Sequence, residues 1–210
     1  MKARPARRYS LFFLGAGMFT MGCDDYVVAG LLPGLSASLG TSMVGAAQGI
    51  TAFSFTYLVC APLFAVLLGR RPARQVLVLA LAIFAAGNVL TLMSPNLAAY
   101  LASRAIAGIG AGMYLPIAVA SAVELVDPDA VGRALGLIWG ANSAGAVIGV
   151  PAGLWLASRL GWQATIGLVL LLGTITLLGI ALGLPDRPVP VPPSMREQLR
   201  FLLDRRVLSI

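Results

Sequence analysis

Charged residues are scarce in this sequence. Of its 210 residues, 11% are Asp, Glu, Lys or Arg, whereas 59% are hydrophobic. That balance excludes an ordinary soluble domain, in which about a quarter of the residues are charged. Histidine is absent, which excludes a metal site built on imidazole, and two cysteines make a disulfide framework unexpected. We expect neither a cofactor nor a bound metal, and the composition indicates an integral membrane protein.

Six apolar runs are each long enough to cross a hydrocarbon core of about 30 Å as a helix. They predict an all-α, polytopic membrane protein: a basic cytoplasmic leader at residues 1–10, a six-helix transmembrane bundle at 11–184 and a cytoplasmic segment at 185–210. The predicted spans are Leu11–Leu32, Gly45–Leu68, Val76–Met93, Leu97–Val123, Ala134–Leu156 and Ala164–Leu184.

The segment at 185–210 opens with a proline-rich linker of polyproline type. Residues Met195–Arg206 follow as an amphipathic piece, predicted to lie on the membrane surface. Apolar residues resume at Val207, where a seventh span would start. The sequence therefore predicts either a truncated reading frame or a half-length protein that works as a dimer.

Basic residues set the orientation. Those outside the spans lie almost entirely in the leader, the second and fourth loops and the tail, whereas Arg159 lies on the other side. By the positive-inside rule both termini are then cytoplasmic, in a cell membrane. The net charge of +7 is explained by this topology, and no nucleic-acid partner is expected.

Two adjacent carboxylates, Asp24 and Asp25, interrupt the first span. A charge at membrane depth costs from about 2.5 to over 10 kcal/mol and is usually kept only where it faces a bundle interior or a wet cavity. The alternative is a hydrated pair near the outer surface that merely ends the helix. At ~100° per residue, Gly15, Gly22 and Ala29 form a small-residue stripe flanked by Asp25, while Asp24 points away from Gly15. Asp25 is therefore the predicted inward carboxylate.

The fourth span contains one basic residue, Arg104, at the start of a row with Gly108, Gly112 and Pro116. A guanidinium there could bind a carboxylate on a neighbouring helix through two hydrogen bonds. It lies about two turns into the span, so it could share a depth with Asp25 and form a charge pair with it. The alternative is an arginine that snorkels to the headgroups.

The fifth span is rich in glycine. Gly136 and Gly140 precede a second row, Gly145, Gly149 and Gly153, with Pro151 inside it. Such rows let helix backbones touch, and the proline lets the helix bend. The alternative is tight packing without any particular chemistry.

Polar and aromatic residues within the spans could line a cavity. They could equally serve as interhelical hydrogen bonds of ~1 kcal/mol each. The candidates are Tyr26, Gln48, Tyr57 and Asn142.

Four segments together carry a family resemblance. Phe19–Pro33 ends in Gly-Leu-Leu-Pro with an acid, Asp25, eight residues before the proline; Arg104–Gly112, Gly145–Gly153 and Leu160–Thr165 follow it along the chain. They resemble the N-terminal half of a major facilitator superfamily transporter, of the twelve-span drug:proton antiporters that include arabinose-efflux and chloramphenicol-exporter types.

The resemblance implies one bundle of two inverted three-helix repeats, and proton-coupled efflux of small amphipathic compounds by alternating access. It assigns proton coupling to Asp25, Asp24 and Arg104, and an antiporter motif to the glycine row of the fifth span. The implied partners are protons, a small-molecule substrate, the lipid bilayer and a second six-span half or a homodimer, because the fold needs two bundles that rock about a midplane site.

The second loop departs from the family pattern. Its basic residues, Arg70, Arg71 and Arg74, correspond to the cytoplasmic gate loop, although topology alone would also explain their charge. Gly69 occupies the position of the family's aspartate, and Pro72 with Ala73 replaces Gly and Arg. The gate that this aspartate helps to hold in relatives is therefore in question.

Two other classes of function remain. A membrane-embedded transferase would need acidic clusters for Mg²⁺. The only other paired acids, Asp127 and Asp129, lie in a loop on the opposite side from Asp24 and Asp25. An inactive fragment, or a regulatory membrane partner of a full-length transporter, is the second alternative.

Overall fold

A computed structural model describes residues 5–69 and 71–184 of the chain. The predicted amphipathic piece, the proline-rich linker and Arg70 lie outside the described residues.

The described part of the chain contains six helical spans that are long and apolar enough to cross a membrane. The fifth is composite: a 3₁₀ turn and a first helix lead into a five-residue π-helical segment, from which a second helix continues. The helices are α1 (Pro5–Ser38), α2 (Met43–Leu68), α3 (Ala73–Leu92), α4 (Leu97–Glu124), α5 (Val131–Ala144), α6 (Val150–Leu160) and α7 (Trp162–Gly183), and the π segment is Gly145–Gly149.

Local chemistry fixes where several helices begin. The hydroxyl of Ser42 accepts a hydrogen bond from the amide of Gly45, and the side chain of Asn96 accepts one from Ala99, so both act as N-caps. Gly161 separates α6 from α7 with a φ of +86°, a conformation that favours glycine. The two N-caps give a hydrogen-bond partner to a backbone N–H at the start of a helix, and Gly161 changes the direction of the chain between two helices.

Helix α1 is longer than the sequence predicts, since it continues through Pro33 to Ser38 instead of ending at Leu32. A proline inside a helix removes one hydrogen bond and disfavours continuation. Here Leu31 and Leu35, on either side of the proline, are buried in a cluster that includes Trp162 of α7. Tertiary packing of this apolar turn outweighs the local preference of the proline.

Helices α1 and α4 form the inside of the bundle. Over its most apolar window each is 61% buried, whereas α2 is 6% buried. Close approach to α4 depends on glycine: a Cβ on Gly110 would meet the backbone of Ala80 and Phe84 in α3, and one on Gly112 would meet the Tyr57 carbonyl in α2. The glycines of α4 thus bring two helices to within backbone contact of the central one.

The π segment lies against α1. A Cβ on Gly145 would collide with backbone atoms of Phe19, Gly22 and Cys23, and the Cys23 thiol donates a hydrogen bond of 3.5 Å to the Gly145 carbonyl. Farther along, Gly149 faces Cys23 and Gly153 faces Val27 and Thr165. This glycine row therefore packs its backbone directly on α1, whereas Gly136 and Gly140 face open space and Pro151 is exposed.

Gly145→Ala tests this contact. The added methyl has no room beside the α1 backbone, so we expect destabilisation of about 1–3 kcal/mol, the usual effect of overpacking. Thermal unfolding of the purified protein in detergent measures it. Gly140→Ala in the same span is the matched control, because a Cβ there meets nothing within 4 Å. Equal melting temperatures for the two variants would contradict the packing described above.

Candidate functional site

The centre of the bundle contains a buried ion pair between α1 and α4. The guanidinium of Arg104 donates two hydrogen bonds to the carboxylate of Asp24, of 2.8 Å to Oδ2 and 3.2 Å to Oδ1. Asp24 is 0% exposed and Arg104 is 1% exposed. This is a two-pronged, charge-assisted pair in a medium of low dielectric constant, where such pairs are strongest.

The ion pair corrects one prediction, because the partner of Arg104 is Asp24 rather than Asp25. The helical-wheel argument placed the interior on the side of Gly15 and Gly22. Those glycines do face a neighbour, α5, where a Cβ on Gly22 would meet the backbone of Asn142. However, α1 packs against other helices on most sides, so the opposite side, where Asp24 points, is also interior and faces α4.

A phenyl ring completes the surroundings of Arg104. The guanidinium carbon lies 4.7 Å from the centroid of the Phe53 ring of α2, within the range of a cation–π contact. Its Nε has no hydrogen-bond partner. Since three helices meet at this one side chain, Arg104 is fixed in place and cannot reach the membrane surface. The snorkelling alternative is therefore excluded.

A cavity of about 200 Å³ opens beside the ion pair, between α1, α2, α4 and α5. Asp25 lies on its wall and is half-buried. Among the described residues, no cation lies within ion-pairing distance of Asp25 and its carboxylate makes no hydrogen bond. The adjacent acids of α1 are thus separated: one is locked to α4 and the other borders open space. The lining residues are Met18, Met21, Asp25, Tyr26, Phe53, Ser54, Tyr57, Ala111, Leu115, Trp139 and Asn142.

Three of the four predicted cavity residues line this space. Tyr26 is 51% exposed, Tyr57 stacks on Phe53 at 6.3 Å between ring centroids, and Asn142 donates a hydrogen bond of 3.4 Å to the Met18 carbonyl. Gln48 does not line it. That side chain is exposed on α2, about two and a half turns before Tyr57, so its depth differs from that of the cavity.

Several lining residues were not predicted as cavity residues. Phe53 lies one turn before the predicted Tyr57 on α2, a spacing that signals a shared face. Trp139 is an aromatic residue inside the fifth span rather than at its end. Met18 and Met21 on α1 carry no signal that separates them from ordinary core residues. The pattern of α2 could have indicated an aromatic wall, but the methionines could not.

The remaining predicted residues lie away from the cavity. Arg71 is exposed and Arg74 is half-buried at the start of α3, so their role in a gate stays a prediction. Over residues 5–69 and 71–184, no three His, Cys, Asp or Glu side chains come together as metal ligands would.

Comparison with known proteins decides the family. The family model of the Major Facilitator Superfamily matches residues 14–209. The chain belongs to this superfamily. The six-helix, all-α bundle predicted from the sequence is thereby confirmed, and the chain is a multi-pass membrane protein of a transporter family.

Individual members of the superfamily match over half of their length. The chain is 30% identical to the uncharacterized MFS-type transporter YbcL of Bacillus subtilis, covering 95% of this chain and 51% of the relative. It is 30% identical to a chloramphenicol resistance protein of Streptomyces lividans, covering 94% and 52%. The solved structure of the human organic anion transporter MFSD10 shares the fold, with a TM-score of 0.68 and 22% identity over 90% of this chain and 50% of that one. The chain thus spans about half the length of these relatives.

Asp24→Asn tests the ion pair. Removing one partner leaves the buried guanidinium uncompensated, which typically costs about 3–5 kcal/mol. We expect a marked loss of thermal stability in detergent, whereas Asp25→Asn, beside the cavity, leaves the melting temperature nearly unchanged. A double variant, Asp24→Leu with Arg104→Leu, removes both charges and recovers much of the lost stability. A single Asp24→Asn variant as stable as the parent would contradict a strong pair.

Proposed function

We propose that this chain forms half of a proton-coupled efflux transporter for small amphipathic compounds, with Asp25 as the group that gains and loses the proton. The supporting observation is the position of Asp25. It is a half-buried carboxylate on the wall of a cavity within the bundle, and the nearest guanidinium is committed to Asp24. Ionisable groups kept at membrane depth in this way commonly mark substrate and proton pathways.

The chemistry of the site follows from its two carboxylates. Asp24 is held by Arg104 through two hydrogen bonds and so joins α1 to α4. Asp25 can exchange a proton with water in the cavity, and the change of charge alters the free energy of exposing the cavity to one side of the membrane or the other. Coupling requires only that the two conformations differ in their preference for the protonated acid.

Efflux is the direction that the comparisons favour. One relative is named a chloramphenicol resistance protein, and export from the cell is a direct way for a transporter to give resistance. The cavity wall is mainly aromatic and sulfur-containing with a few polar groups, which suits small amphipathic molecules.

The proposed transporter also requires a second six-helix bundle. The cavity of about 200 Å³ is smaller than the ~300–1,000 Å³ of typical ligand sites. The polar residues of its wall, which include Asp25, Ser54 and Asn142, cannot face hydrocarbon without a large cost in free energy. We propose that another six-helix bundle, from a second copy or from further polypeptide, packs against α2 and α5 and completes the site.

A second candidate function is supported by one observation, the half-length match to the relatives. In that case the bundle is an inactive half or a regulatory membrane partner of a full-length transporter. Transport by the chain itself separates the two candidates.

Efflux from cells that express the chain tests the leading proposal. A panel of amphipathic compounds is loaded and its loss followed with and without a proton uncoupler. We expect uncoupler-sensitive efflux that falls to the level of cells without the protein in Asp25→Asn, because an amide cannot exchange the proton.

Asp25→Glu, which keeps the carboxylate, should retain part of the activity. Asp129→Asn, an exposed acid of the 3₁₀ turn before α5 and away from the cavity, is the control and should transport as the parent does. Full uncoupler-sensitive efflux by Asp25→Asn would remove the assigned role, and no efflux by any version would favour the regulatory candidate.

Assembly is tested with two differently tagged copies expressed together. If a second copy completes the site, they co-purify in mild detergent, and Trp139→Ala, which trims the exposed ring at the cavity opening, reduces the recovery. Trp155→Ala is the matched control, since Trp155 is also exposed in the fifth span but does not line the cavity. Sedimentation that finds transport-competent monomers would argue against the dimer.

A further inference from the structure

We propose that an apolar pocket between α1, the π segment with α6, and α7 binds the end of a lipid acyl chain that enters from the surrounding bilayer. The inference needs only that the chain crosses a membrane. It does not depend on the proposed transport function, and it concerns a different side of α1 from the cavity beside Asp25.

The pocket has a volume of about 90 Å³ and lies where the π segment and α6 pass over α1. On α1 its wall includes Cys23. That residue is ~160° around the helix axis from Asp25, so the pocket and the larger cavity are on nearly opposite sides of α1. The second bundle proposed above completes the cavity on the other side, and it leaves this face to lipid.

The surface of the pocket resembles hydrocarbon. Two of its lining side chains have a polar hydrogen, and each donates it to a backbone carbonyl of the fifth span. The Cys23 thiol donates to Gly145 at 3.5 Å, and the Thr165 hydroxyl donates to Gly153 at 2.6 Å. A buried water molecule needs about two to four polar partners, so this pocket does not suit water.

The depth of the pocket corresponds to the middle of the membrane. Cys23, Ile148 and Leu172 line it, and each lies within about one turn of the midpoint of its membrane-spanning stretch. In a hydrocarbon core of about 30 Å, the headgroups are ~15 Å from this level. The parts of a lipid that reach it are the ends of the acyl chains.

The pocket opens on the outer face of the bundle. At its rim Ile148 is 61% exposed and Ala152 is exposed, whereas Cys23 and Val169 in its wall are 5% and 2% exposed. A chain that lies along the outer face can therefore enter between α6 and α7. The apolar surface continues along α7 in the exposed residues Leu171, Ile175 and Leu178.

An acyl chain end is the occupant that fits these conditions. Atoms that line an unfilled void lose dispersion contacts, and such contacts are a main source of packing energy within hydrocarbon. A dry apolar cavity of about 150 Å³ takes benzene or xenon. The pocket here is smaller, so a narrow, flexible chain of methylene groups suits it better than a ring. A side chain from a second copy or another bundle is the competing occupant.

The test uses phosphatidylcholine with a photoreactive diazirine at the terminal carbon of one acyl chain. The whole chain is reconstituted into vesicles of this lipid and illuminated, and peptide mass spectrometry locates the adducts. We expect adducts on Cys23 and Val169, which are buried but line the pocket, as well as on the exposed Leu171, which serves as the internal standard. A diazirine beside the ester group should leave Cys23 unlabelled, because it stays ~15 Å away.

Ala152→Phe places a ring at the rim of the pocket and should abolish the adduct on Cys23 while that on Leu171 remains. Ala86→Phe is the matched control, since Ala86 is also an exposed alanine of a spanning helix but does not line the pocket. It should keep both adducts. Circular dichroism and gel filtration establish that each variant is folded.

If Ala152→Phe does not fold, the two diazirine positions on the parent protein decide. Labelling of Leu171 without Cys23 or Val169 would overturn the inference, and is what a side chain of another helix in the pocket would give. Equal labelling of Cys23 from both diazirine positions, or a Cys23 adduct that survives in folded Ala152→Phe, would also overturn it.

Discussion

The structure depends on one ion pair that has no access to water. Asp24 and Arg104 would each be costly in the bundle interior alone, by several kcal/mol, and the pair is tolerable because two hydrogen bonds and the Phe53 ring replace the lost hydration. It ties together the two helices that are buried from most sides, α1 and α4. The glycines of α4 allow α2 and α3 to pack closely against that helix, and α2 brings Phe53 to the ion pair.

That arrangement sorts two chemically identical neighbours into different environments. Asp24 and Asp25 are ~100° apart on α1, enough for one to face α4 and the other to face the cavity. With Arg104 engaged by the first, the second borders the cavity and has no ion-pair partner among the described residues. The tandem acids therefore do not duplicate each other: the first anchors the helix, and the second remains available to the open space.

Most of the fold follows from the apolar runs, because a helix that crosses hydrocarbon must satisfy its own backbone and be long enough to do so. The predicted spans match the helices to within four residues at every end except those of α1. Helix α1 begins at Pro5 rather than Leu11, and packing on Trp162 carries it past Pro33 to Ser38 rather than Leu32. The site was less predictable. A helical wheel gives directions around one helix but not which neighbours surround it, so it favoured Asp25 over Asp24 as the inward carboxylate. Gln48 was assigned to the cavity only because it is a polar residue within a span. Phe53 and Trp139 can be recognised as cavity residues only from the structure, in which α2 and α5 border the same space as Asp25.

The π segment has a geometrical consequence for the fifth span. In an α-helix, residues four apart drift by about 40° around the axis at each step, so three glycines in such a row would spiral away from a straight neighbour. A π turn takes up one more residue, which reverses the drift at Gly145–Gly149 before α6 restores it. The three glycines consequently form a nearly straight seam along residues 19–27 of α1, about 12 Å long at the ~1.5 Å rise of a helix. Two rods in contact along a straight seam need not coil around each other to stay packed.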